Sequence, residues 1–190
     1  PELPHIKTKR FITEYQLPEY DAEVLTQSRE LADYFESVCK SIDKQSYKTA
    51  SNWVMGEVMR VLNEKKISIS EFNISSQNLA SLVKLIADGK ISNNIAKEVY
   101  TEMLSKTAGD VNQNPETIVT DKNLLQVTDT GEIEGIIKKI IADNPKEAER
   151  YRAGETKLLG LFIGKVMKES KGKANPKTVN ELITKNLSNN

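Results

Sequence analysis

The residues in this sequence whose types and spacing could do chemistry are glycines and lysines between residues 157 and 177. A helix is predicted over about 155–170, and at 100° per residue its two faces can be assigned. The apolar face holds Leu159, Phe162, Ile163, Val166 and Met167. The opposite face is bare or basic and holds Lys157, Gly160, Gly164 and Lys168.

The two glycines on that outer face need a reason, because a glycine inside a helix costs about 1 kcal/mol relative to alanine. One reason is a second helix that crosses closely at Gly160 and Gly164, and the spacing alone favours this interpretation. The other reason is a polymer backbone, such as RNA, that lies against a smooth face flanked by ammonium groups. The residues alone leave both interpretations open.

The lysines continue beyond this helix, with five between Lys165 and Lys177 against one acid, Glu169. Positive charge at this density suits phosphate groups, although a charge run is more often a solvated surface. Asn175-Pro176 then predicts the start of the last helix, with Asn as the N-cap and Pro at the first helical position. The candidate binding residues are Lys157, Gly160, Gly164, Lys165, Lys168, Lys171, Lys173, Asn175 and Lys177.

The overall composition is neutral, but the charge is unevenly distributed along the 190 residues. Residues 1–118 carry 14 Lys and Arg against 17 Asp and Glu, whereas residues 119–190 carry 13 against 10. Any affinity for nucleic acid is therefore expected mainly in the second part. The single Cys excludes an internal disulfide and fits a reducing compartment. No apolar run approaches the ~20 residues of a membrane span.

Apolar residues at helical spacing recur along most of the chain and predict an all-α fold. A turn-rich stretch over 107–118 predicts a boundary between two small helical bundles in tandem, a helical domain at 1–110 and a tail domain at 111–190. A short helix is also predicted over 121–127. Asn-Pro occurs at 114, 144 and 175, each time before a predicted helix start.

The sequence lacks several common catalytic and metal-binding motifs. It has no Gly-x-x-x-x-Gly-Lys-Ser/Thr phosphate loop, no Cys-x-x-Cys and no His-Glu-x-x-His. A nucleophilic Cys39 would need a partnering base, and its place on a helix edge predicts a core thiol instead. His5 has no second ligand type beside it. We therefore expect a binding module with no catalytic residue and no metal site of its own.

Several motifs resemble a known family, and together they extend over essentially the whole chain. Gly160-x-x-x-Gly164-Lys165-Val166-Met167-Lys168 and the following Lys171-Gly172-Lys173-Ala174-Asn175-Pro176 are similar to the C-terminal signature of the GatB/YqeY family. Asn52-Trp53-Val54-Met55-Gly56-Glu57 and Gly89-Lys90-Ile91-Ser92 resemble the B subunit of tRNA-dependent amidotransferases. The resemblance favours the B subunit over free-standing relatives of the tail.

This resemblance implies a ligase that converts Glu-tRNA(Gln), and often Asp-tRNA(Asn), to the amide form with ATP, Mg²⁺ and glutamine. It implies that a larger N-terminal domain, absent here, holds ATP and Mg²⁺, so that no cofactor is expected in this chain. It further implies tRNA as the partner of the tail, A and C subunits as partners of the full-length protein, and a cytoplasmic location without membrane or DNA contacts. The alternative is a non-catalytic protein-interaction or assembly module.

Overall fold

The computed structural model describes residues 2–125 and 130–188. The elements assigned within these ranges are helices, which confirms the predicted all-α fold class. The chain divides into two compact units, the first formed by residues 1–88 and 99–119 and the second by residues 89–98 and 120–190. The predicted domain boundary at residue 110 stays a prediction.

The helices are short and follow one another closely along the chain. The α-helices are α1 (Pro4–Glu14), α2 (Glu19–Leu25), α3 (Arg29–Cys39), α4 (Tyr47–Trp53), α5 (Met59–Lys65), α6 (Ser76–Ala87), α7 (Asn93–Ser105), α8 (Pro115–Asp121), α9 (Thr130–Asp143), α10 (Pro145–Arg152), α11 (Leu158–Glu169) and α12 (Pro176–Ser188). A π-helical stretch, Val54–Val58, joins α4 to α5. None of the described helices combines the length and apolarity needed to cross a membrane.

Serine side chains start two of the helices in the first unit. Ser28 Oγ accepts a hydrogen bond from the amide of Leu31, and Ser75 Oγ accepts one from the amide of Asn78. Each bond satisfies one of the amides that the first turn of a helix leaves without a partner. Local chemistry therefore explains why α3 and α6 begin directly after these serines.

Aromatic side chains form part of the core of the first unit. The ring of Phe11 lies 5.3 Å from that of Phe35, and the ring of Tyr15 lies 5.4 Å from that of Phe35. Tyr15 also packs edge-on against Tyr47, at 5.0 Å between ring centres. These contacts hold α1 and α3 against the start of α4.

The turn-rich stretch before α8 is anchored by one buried amide side chain. Gln113 is 1% exposed, and its Nε2 donates to the carbonyl oxygens of Asn73 at 2.9 Å and Met103 at 3.1 Å. Its Oε1 accepts a hydrogen bond from Asn78 Nδ2 at 3.2 Å. Because each polar atom of this buried amide has a partner, the stretch is held to the first unit.

The α-helix in this region, α8, begins where Asn114-Pro115 predicted, and the prediction of a further helix over 121–127 is wrong for its described part. The helix begins at Pro115, where Asn114 Oδ1 accepts a hydrogen bond from the amide of Glu116 at 2.8 Å. It ends at Asp121, and Asn123 has a left-handed φ of 50° that no α-helix continues through. Residues 126 and 127 lie outside the described residues.

The second unit buries one contiguous apolar cluster between α9, α10, α11 and α12. Ile133, Ile137, Phe162, Ile183 and Leu187 are each fully buried within it. Ile140, Ala148, Val166, Ala174 and Val179 complete the buried set. This cluster determines which face of α11 points inward.

We predict that Phe162→Ala lowers the free energy of unfolding of the second unit by about 3–5 kcal/mol, because it removes a fully buried aromatic ring and leaves a cavity. Leu161→Ala is the matched control, since Leu161 directly precedes Phe162 and is 41% exposed. Its effect should stay within about 0.5 kcal/mol. Urea unfolding followed by helical circular dichroism measures both. Equal losses for the two variants would contradict the inward face assigned to α11.

We also predict that Cys39 resists thiol reagents in the folded protein. Cys39 is 3% exposed, and burial together with nearby Glu36 raises the pKa of its thiol to about 12. The reactive thiolate is therefore scarce at pH 8. Dithionitrobenzoate should leave the native chain unlabelled and label one thiol per chain in denaturant. Rapid labelling of the native chain would show that Cys39 is accessible.

Candidate nucleic-acid interface

Helix α11 has one face in the apolar cluster and one face in solvent. Phe162 and Val166 are fully buried. The other apolar residues of the predicted inward face, Leu159, Ile163 and Met167, are half-buried against the same cluster. The rotation of α11 about its axis therefore agrees with the 100° projection.

The two glycines of α11 lie on its solvent face. Gly160 and Gly164 are exposed, and a Cβ built at either position would meet nothing within 4 Å. No described residue of this chain therefore crosses the helix closely enough to require glycine there. What the two positions present instead is bare helical backbone over about one turn.

Three of the predicted lysines lie along the same helix, but they differ in their surroundings. Lys157, just before the first turn, and Lys168, in the last turn, are exposed. Lys165 is half-buried, and its Nζ donates a hydrogen bond to Asn144 Oδ1. We call the solvent face of α11 around Gly160 and Gly164 the glycine face. Lys157 and Lys168 thus present ammonium groups at its two ends, whereas Lys165 also has a structural role.

The basic segment after α11 is a defined turn. Lys171 and Gly172 both adopt left-handed backbone angles, with φ of 52° and 73°. The amide of Gly172 donates to the carbonyl of Met167 at 2.8 Å, and the amide of Lys171 donates to that of Lys168 at 3.1 Å. This is the geometry with which helices commonly end. We call residues 170–175 the lysine loop.

Ser170 stabilises the lysine loop through two hydrogen bonds of its side chain. It is 7% exposed, its Oγ donates to the carbonyl of Met167 at 3.2 Å, and the same oxygen accepts from the amide of Ala174 at 3.4 Å. Ala174 itself is fully buried. A buried residue at each end therefore fixes the loop, while Lys171 is exposed and Lys173 half-buried.

Asn175 and Lys177 lie where α12 begins. Asn175 Oδ1 accepts hydrogen bonds from the amides of Lys177 at 2.9 Å and Thr178 at 3.4 Å, so it is the N-cap that the sequence predicted. Lys177 is exposed in the first turn, which holds no acidic residue. Helix dipoles favour acids at this end, so folding gives no reason for a lysine there.

Two contacts near this surface were missed by sequence reasoning. Glu169, the single acid of the basic run, is paired with Lys139 of α9, whose Nζ lies 3.2 Å from Glu169 Oε1. Ser92 Oγ lies 3.4 Å from the carbonyl oxygen of Gly172 and donates to it. The partners are 30 and 80 residues apart, so no local spacing could indicate either contact.

The part of the chain that the structure describes shows no group of metal-binding side chains near these lysines. Within residues 2–125 and 130–188, no three His, Cys, Asp or Glu side chains are grouped so that they could hold a metal ion. His5 is exposed near the start of α1, and Cys39 is buried in the first unit. The geometry is that of an exposed basic surface on a packed helical frame.

Comparison with known proteins places these motifs in a family. Three curated relatives, each the B subunit of an aspartyl/glutamyl-tRNA(Asn/Gln) amidotransferase, align with 98% of this chain. The identity is 48% for the protein from Prosthecochloris aestuarii, 46% for that from Thermotoga neapolitana and 50% for that from Trichlorobacter lovleyi, each over 187 residues.

The chain spans only 37–38% of the length of these relatives. The family model described as the GatB domain matches residues 33–187. That match includes most of the first unit, all of α9, α10 and α11, and the lysine loop. The chain belongs to the GatB domain family.

Proposed function

We propose that this chain is the tRNA-binding part of an amidotransferase B subunit, and that the outer face of α11 and the lysine loop contact the tRNA backbone. The observation that carries the proposal is the pair of open glycines, Gly160 and Gly164, with exposed lysines at both ends of the same face. The relatives are named for enzymes that act on tRNA.

A steric argument favours a polyanionic strand as the ligand of the helix face that holds Gly160 and Gly164. Two glycines in one helix cost about 2 kcal/mol relative to alanine, and no described residue of this chain fills the space above Gly160 and Gly164. A phosphodiester backbone can lie against such a surface while ammonium groups neutralise its phosphates. Lys157 and Lys168 occupy the positions that this arrangement requires.

The wider reaction is part of the same proposal. The relatives are more than twice as long as the region matched here. We propose that their additional length carries out the ATP-, Mg²⁺- and glutamine-dependent conversion of Glu-tRNA(Gln) or Asp-tRNA(Asn) that the resemblance implies. We propose that the present residues hold the tRNA, that no cofactor binds to them, that A and C subunits join through the full-length protein, and that the complex acts in the cytoplasm.

The rival function is an assembly module that packs a partner helix against the same face. Leu161, which is 41% exposed beside the glycines, is the observation that favours it. The two functions differ in their dependence on salt. Phosphate contacts release counterions and weaken steeply as salt rises, whereas apolar helix packing does not.

We predict that replacing Lys168, Lys171 and Lys173 together with Ala weakens the binding of cognate and non-cognate tRNA alike, because phosphate contacts carry little sequence information. The plot of log K against log salt should flatten by roughly 0.7–0.9 for each lysine–phosphate interaction that the substitutions remove. Fluorescence anisotropy of labelled tRNA at graded salt measures both quantities on the 190-residue chain.

The matched control for that variant replaces Lys138, Lys146 and Lys185, which are exposed in the same unit on α9, α10 and α12. It removes the same charge from other positions. An equal effect of both triple variants would mean that only net charge matters, and no effect of the first would mean that the basic run is solvated surface.

We predict that Gly164→Leu weakens tRNA binding by roughly tenfold or more without lowering the melting temperature, since one bulky group in a contact surface costs a kcal/mol or more. The side chain would enter open space above α11, so the fold tolerates it while a strand lying there does not. Gly135→Leu is the matched control, because Gly135 is an exposed glycine of α9 whose added Cβ would also meet nothing within 4 Å. It should leave tRNA binding unchanged. Unfolding of the Gly164 variant would instead assign that glycine to packing.

A further inference from the structure

The motif Gly89-Lys90-Ile91-Ser92 was singled out by its resemblance to the family, and the proposed tRNA surface does not use it. Residues 89–98 belong to the second unit, although the residues on either side of this range belong to the first. Ile91 and Ile95 are each 2% exposed. The segment is therefore an integral part of the unit that carries the lysine loop.

The segment contacts the lysine loop at one point, the peptide of Gly172. Ser92 Oγ donates to the carbonyl oxygen of Gly172 at 3.4 Å. A methyl group built onto Gly172 would lie 3.9 Å from Cδ1 of Ile95, so the Ile95 side chain lies beside the same residue. The hydrogen bond from Ser92 and the side chain of Ile95 thus both lie at the residue where the backbone of the loop turns.

This contact matters because the loop carries like charges close together. Lys171 and Lys173 flank Gly172 directly, and their repulsion favours a spread, mobile loop. Fixing the loop before binding lowers the entropy that is lost when its side chains are immobilised on a ligand. A contact that adds no charge can therefore strengthen binding by positioning groups that do.

We propose that Ser92 and Ile95 are positioning residues for tRNA binding, which hold the lysine loop in its binding geometry through Gly172. The inference rests on the proposed function, since it assigns a role toward the same ligand. Neither residue contacts tRNA in this scheme. Their substitution changes the affinity but not the number of phosphate contacts.

The test compares Ser92→Ala with Ser92→Thr and Ile95→Val in the 190-residue chain. Ser92 Oγ also accepts from the amide of Ile95 at 3.3 Å, so alanine removes a helix cap as well. Ser75→Ala is the matched control, because it removes the equivalent cap from α6. Threonine keeps both hydrogen bonds, and valine deletes the Cδ1 methyl that faces Gly172.

Two readouts are used, one without and one with tRNA. Hydrogen exchange of the free protein reports on the loop amides of Gly172, Lys173 and Ala174. Anisotropy with labelled tRNA reports affinity and salt slope. Ser92→Ala should speed exchange of these amides and weaken tRNA binding about threefold to tenfold, the effect of one hydrogen bond. The salt slope should stay unchanged, Ser92→Thr should restore both readouts, and Ile95→Val should change them in the same direction as alanine.

The possible failures are distinguishable. If Ser92→Ala and Ile95→Val leave tRNA affinity unchanged while loss of Lys171 and Lys173 weakens it, the positioning role is overturned and the proposed function stands. If loss of those lysines has no effect, the proposed function itself is overturned. An equal loss of affinity in Ser75→Ala would assign the effect to general destabilisation and also overturn the inference.

Discussion

The burial of α11 against the isoleucines of α9 is the interaction on which the rest of the second unit depends. Phe162 and Val166 of α11 are fully buried in the same cluster as Ile133 and Ile137. Each such side chain contributes about 1.5–3 kcal/mol when it leaves water. The two glycines together cost about 2 kcal/mol. The free energy gained by burying these side chains therefore exceeds the cost of the glycines, and the burial fixes the rotation of the helix.

Once that rotation is fixed, it also determines which residues of α11 point toward solvent. Residues about half a turn before or after buried Phe162 point outward, so Gly160 and Gly164 lie on the surface whatever their function. The lysine loop depends on the same packing, because Ala174 is buried in the cluster and Ser170 hydrogen-bonds to the carbonyl of Met167 and the amide of Ala174. The candidate interface is thus a consequence of the core and not a separate device.

Much of this arrangement could be predicted from the sequence because its causes are local. The period of the apolar residues located the inward face of α11, and the Asn-Pro pairs located the starts of α8, α10 and α12. The caps also show the limit of such reasoning. Asn114 and Asn175 each accept hydrogen bonds from the following helix, but Asn144 instead accepts one from Lys165. The dipeptide is the same at all three sites, but Asn144 directly follows α9, and its Nδ2 also donates to the carbonyl of Ile140.

The features that could not be predicted depend on residues distant in sequence. Lys165 and Asn144 are 21 residues apart, Glu169 and Lys139 are 30, and Ser92 and Gly172 are 80. The stretch before α8 depends on distant residues as well. Gln113 anchors the preceding stretch to Asn73 and Met103, and the helix begins directly after that anchor. Composition alone shows only that the stretch is rich in turn-forming residues.

A chain of zero net charge can still carry a surface for a polyanion, because exposed charges in physiological salt act over only about 8 Å. What matters is the local balance, and Lys139 offsets Glu169, the one acid in the basic run. Position on the helix then separates the lysines further. Lys168 has a structural reason to be where it is, since a cation stabilises the C-terminal end of a helix. Lys177 stands at the opposite end of its own helix, where a cation is unfavourable. A charge that is placed against the needs of the fold is better evidence for a ligand than one that the fold itself requires.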